Sequence, residues 1–120
     1  MENTDVLHSP QNKANAYLVK EILDSTPQKL LLKVYDFAIS HCQRHDIEKS
    51  NRAVSELINA LNFDEEATKN LSLELLRLYQ FVQDSTRKGD FDISLRILNE
   101  LRETWQEVFQ SPVELSEAAN

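Results

Sequence analysis

A chain of 120 residues with one glycine and three prolines is long enough for one packed domain, and too poor in turn-forming residues for a hairpin-built sheet or a phosphate-cradling loop. Hydrophobic residues at 41% and charged residues at 28% describe a folded soluble chain, while a net charge of −7 disfavours nucleic acid and anionic lipid as partners. No apolar run approaches the roughly 20 residues that span a bilayer, the N-terminus is polar and acidic where a signal peptide would be basic and then apolar, and the lone Cys42 has no internal disulfide partner; a cytoplasmic location without membrane insertion is the expectation.

Residues 1–24 read as a mobile N-terminal tail and cap segment. Up to Asn12 the chain is polar and contains Ser9-Pro10, after which Ala16, Tyr17, Val19, Ile22 and Leu23 supply enough apolar surface for a short helical strap that docks on something larger. Residues 25–110 read as a helical bundle. Ser25-Thr26-Pro27 is a helix start, followed by Leu31, Val34, Tyr35, Ala38 and Cys42 at spacings of three and four. Leu30, Leu32, Phe37 and Ile39 widen that stripe, so this first helix is expected to touch several neighbours. It should end near Cys42 or Arg44, with His41, Arg44 and His45 in the last turn, where the helix dipole favours cations.

Asp46 is placed to cap a second helix carrying Val54, Leu57, Ile58 and Leu61 on one face and ending near Leu61. Asn62-Phe63-Asp64 reads as the next break, with Asn62 in a left-handed conformation and Asp64 as the following cap. A third helix to about Arg87 buries Leu71, Leu75, Leu78 and Val82, with Leu76 and Tyr79 beside them. Gly89 suits a left-handed stop, Asp90 a cap, and a fourth helix presents Phe91, Leu95, Leu98, Leu101, Trp105, Val108 and Phe109 until Ser111-Pro112. Residues 111–120 read as a C-terminal tail. The resulting fold class is all-α, an antiparallel up-down-up-down four-helix bundle; three helices with a satellite are the competing arrangement.

His41 and His45 stand four apart, a spacing that can chelate a metal, and Cys42 adjoins them. No third ligand stands nearby, and both histidines have an ordinary role at a helix end, so no metal and no cofactor are expected. Catalysis is not expected either: there is no nucleophile on a sharp turn, and the Glu-x-x-His signature of di-iron bundles is missing. The feature that points to function is the strap, because a short segment lying in an apolar groove occupies a site that another chain's helix can use.

Asn15-Ala16-Tyr17, Ser25-Thr26-Pro27 with Leu30 to Tyr35, Leu57-Ile58 through Leu61-Asn62, Leu78-Tyr79, and Leu101-Arg102 with Thr104-Trp105 together resemble the flagellar export chaperone family FliS, over about Asn15 to Phe109. The resemblance implies a cytoplasmic bundle that binds the disordered C-terminal region of flagellin, prevents its premature polymerisation and delivers it for type III secretion, as a monomer or weak dimer. By position Tyr17 would cap the groove, and Leu57, Ile58, Leu61, Leu71, Leu75, Leu78 and Tyr79 would form the partner-binding face. Relative to the family, the chain is shorter by roughly two turns in each of the first two helices and one turn in each of the others. The alternative is a non-catalytic regulatory or structural bundle that binds another flagellar export or regulatory protein, or self-associates through its strap.

Overall fold

The computed structural model describes residues 26–110. The Asn15 to Leu23 strap with Tyr17, the N-terminal tail, Ser25 and the C-terminal tail lie outside the described residues. The chain divides into compact units of residues 1–30 and 31–120. Of the first unit only residues 26–30 are described, where the Thr26 hydroxyl accepts the Lys29 N–H at 3.2 Å and caps a helix start.

Four helices follow: α1 (Pro27–Gln43), α2 (Ile47–Asn59), α3 (Glu66–Arg87) and α4 (Phe91–Gln110). Among the described residues there is no strand. The α3 helix packs against both α2 and α4. The α1 helix is tied to α4 by the Asp36–Arg102 ion pair, and to α2 by the Ser50 hydroxyl, which donates to the Ala38 carbonyl at 3.0 Å. Short connections alternate the helix directions, giving the antiparallel bundle expected from the sequence.

Tyr35, Val54, Leu57, Tyr79, Val82 and Leu98 are buried to 2% exposure or less and form the centre of the core, where burial of apolar surface contributes roughly 25 cal/mol per Å².

The bundle is built from two helical hairpins that share one plan around their tight turns. Residues 44 apart hold equivalent places, the clearest being Tyr35 and Tyr79, whose hydroxyls lie 2.5 Å apart at the bundle centre. Ser50 donates to the carbonyl 12 positions earlier, at Ala38, and Ser94 does the same to Val82. Phe37 and Phe81 are both half exposed. Both tight turns close in the same way. The Asp46 N–H reaches the His41 carbonyl and the His45 N–H that of Cys42; the Asp90 N–H reaches Ser85 and the Gly89 N–H reaches Thr86. These are paired Schellman closures, with His45 (φ 59°) and Gly89 (φ 82°) in the left-handed position. The repeat is visible in sequence as Leu-Leu-Lys-Val-Tyr-Asp-Phe at residues 31–37 against Leu-Leu-Arg-Leu-Tyr-Gln-Phe at residues 75–81.

Several boundaries differ from the sequence expectation. His45 lies beyond the end of α1 at Gln43 and adopts the left-handed conformation, its ring stacked on Phe91 at 4.0 Å. Asp46 caps α2 as expected, its carboxylate accepting the Lys49 N–H at 3.1 Å. The α2 helix stops at Asn59, short of Leu61. Asn62 does not take a left-handed conformation. Its side-chain oxygen instead accepts the Asp64 N–H at 2.8 Å, and its carbonyl accepts the Ser72 hydroxyl at 2.7 Å. Asp64 is therefore part of the loop; the N-cap is Glu65, which makes no side-chain capping bond.

Candidate functional site

The two hairpins differ at the end of the bundle away from the tight turns. The α4 helix has 20 residues where its counterpart α2 has 13, so α2 falls seven residues, or about two turns, short. The place where those turns would lie is a cleft of about 280 Å³. Leu57 and Tyr79 form its buried floor, each 2% exposed, while Leu71 at 50% exposure stands on its wall. Leu31, Leu75 and Trp105 complete the apolar lining, and Leu61 reaches in from the loop after α2.

Of the residues expected to bind a partner, Leu57, Leu61, Leu71, Leu75 and Tyr79 come together in this cleft. Ile58 is half-buried against the core and Leu78 is half-buried; neither lines the cleft. Tyr17 lies outside the described residues. Leu31 and Trp105 are lining residues absent from the expected set. The signal that finds them is the repeat: Leu31 is the counterpart of Leu75, and Trp105 that of Leu61, at the same 44-residue separation as the tyrosine pair.

A polar line runs from the cleft lining into the core. The Trp105 indole N–H donates to the Tyr35 hydroxyl at 3.1 Å, and that hydroxyl bonds Tyr79, either one serving as donor. Burial pushes the phenol of Tyr35 well above its usual value, reinforced by the neighbouring Tyr79, and burial likewise raises Tyr79. Both therefore stay neutral and serve as fixed hydrogen-bonding groups. On the rim, Glu65 lines the cleft between Asp64 and Glu66, and none of the three forms an ion pair among the described residues.

Near the tight turns, Cys42 is fully buried, and burial raises its thiol above the usual value, so it is protonated at neutral pH. His41 packs its ring on Phe37 at 4.3 Å while His45 stacks on Phe91, so the two imidazoles have separate partners. Among the described residues no three His, Cys, Asp or Glu side chains are grouped to hold a metal ion, and no helix is long and apolar enough to cross a membrane.

No family model, curated protein or solved structure matches the chain.

Proposed function

We propose that this chain is a flagellin export chaperone of the FliS type, one that holds a segment of flagellin's disordered C-terminal region as a helix in the open-end cleft and releases it to the secretion apparatus in the cytoplasm. The observation that carries the reading is an apolar cleft in the end of a helical bundle, with a half-exposed Leu71 wall and a buried floor at Leu57 and Tyr79. Amphipathic helices dock in such grooves through anchors three and four residues apart.

Binding of this kind needs neither catalysis nor a cofactor. Ordering a disordered client costs about 2 to 5 kcal/mol, which offsets part of the gain from burial and keeps the affinity moderate, as delivery requires. Titration calorimetry of the full chain with a flagellin C-terminal peptide is the test. Saturable heat supports the proposal; no heat at concentrations of about 100 μM removes flagellin as the client.

A further inference from the structure

We infer that the cleft takes a partner helix of about two turns that runs on from the end of α2, supplies the turns this helix lacks relative to α4, and carries a basic residue opposite Glu65. The inference rests on the proposed function only in taking the cleft as the binding face.

The template for the occupant is in the molecule itself. Beyond the point where α2 stops, α4 continues through Trp105 and Phe109, four residues apart and stacked with ring centroids at 5.7 Å. On the other side of the repeat the chain has left the helix. Leu61, the counterpart of Trp105, lines the cleft with a smaller side chain, and the counterpart of Phe109 is the charged rim residue Glu65. Leu71 is left half exposed. A helix entering here with a large aromatic residue in its first turn and a second apolar residue four positions later reproduces the packing that α4 makes on its own side. Its direction follows α2, with its N-terminal end next to Ala60. Charge sets the remaining feature: Glu65 is the one charged residue among those lining the cleft, so a lysine or arginine of the partner facing it is attracted and a carboxylate is repelled.

The test uses a fluorescein-labelled peptide with the sequence of residues 103–110 carrying Glu103→Lys and Glu107→Lys, titrated with the full chain and read by anisotropy. Saturable binding is expected, weakened at least tenfold by alanine in place of the peptide's tryptophan and several-fold by raising the salt to 0.5 M, roughly a threefold shorter screening length than at low salt. Leu71→Glu in the chain should also weaken binding at least tenfold. Phe81→Glu, equally exposed and outside the cleft, should leave it unchanged. A photo-cross-linker at the peptide's N-terminal end should label residues near Ala60.

Absence of binding, or binding indifferent to Leu71→Glu, overturns the inference. So does a cross-link from Lys20 to Lys69 in the unliganded chain without peptide binding, which gives the cleft to the chain's own N-terminal segment. Self-association abolished by Leu71→Glu gives it to a second copy and overturns the inference too. A flagellin peptide run in parallel separates the two readings. If it fails to bind while the template peptide binds, flagellin is lost and the cleft assignment stands; if it binds despite Leu71→Glu, the cleft assignment is lost and flagellin stands.

Discussion

Tyr35 and Tyr79 occupy the same position in two successive hairpins and meet hydroxyl to hydroxyl, with ring centroids 6.4 Å apart. The contact lies where the two halves of the bundle face each other, and Trp105 anchors it from α4 through its bond to Tyr35. Replacing Tyr35 with phenylalanine removes two hydrogen bonds at once and leaves the Trp105 N–H and the Tyr79 hydroxyl without their partner. A loss of about 1 to 3 kcal/mol is expected for Tyr35→Phe, measured by urea unfolding. Tyr79→Phe should cost less, since Tyr35 keeps the indole bond. A double-mutant cycle should give a coupling of at least about 0.5 kcal/mol.

The same tyrosines set the response to alkali. Their pKa values in the folded protein lie above the unfolded value of 10.0, so the folded state keeps protons that the unfolded state releases. The stabilisation is fully present below pH about 10 and is lost as the pH rises through the folded values. The melting temperature should therefore fall above pH about 10, and Tyr35→Phe should flatten that decline. A thermal scan series showing the same slope for both proteins would contradict this account.

Trp105 is half-buried: it is an N–H donor to the core, a stacking partner of Phe109 and part of the cleft wall. Trp105→Ala should cost about 2 kcal/mol, below the 3 to 5 expected for a fully enclosed tryptophan, because part of the ring already faces solvent. Its emission should also shift when the cleft is occupied, which can be read in the intact protein without a label.

The two tight turns differ in one residue that matters for backbone strain. A β-carbon on Gly89 would meet no atom within 4 Å, so Gly89→Ala tests the left-handed conformation alone and should cost about 1 to 2 kcal/mol. His45→Gly relieves that strain but gives up the stack on Phe91, and the net change in melting temperature should be close to zero.

How much of this is legible in the sequence depends on the kind of signal. Helical periodicity and capping residues place all four helices and the Asp46 cap, because those signals are local. The break after α2 differs from the expectation at Asn62 and Asp64, where the Asn62 side chain accepts the Asp64 N–H and the Ser72 hydroxyl donates to the Asn62 carbonyl, arrangements that compete with the capping roles those residues usually take. Leu57 and Tyr79 carry the same apolar character as Leu71, so the pattern cannot separate the floor of a cleft from its wall; only the lengths of packed neighbours do. The cleft exists because α2 stops early relative to α4, a relation between distant segments. The repeated Leu-Leu-x-x-Tyr-x-Phe run is the one sequence feature that makes that comparison possible.

Where α2 meets α3, the Asn51 amide donates to the Gln83 carbonyl at 3.0 Å and the Gln83 amide donates to that of Asn51 at 2.9 Å. The corresponding residues between α1 and α4 are Ile39 and Leu95, both apolar. Two hairpins so alike could pair like with like, first half with first half across two molecules. Each such pairing would set an amide against an aliphatic side chain at both seams, so the correct partner of each hairpin is the unlike one on its own chain. Asn51→Leu with Gln83→Ile should erase that distinction: the expected protein melts no lower than the parent yet dimerises with rising concentration in sedimentation. On this account two amides add to the advantage that a shared chain already gives each hairpin's unlike partner.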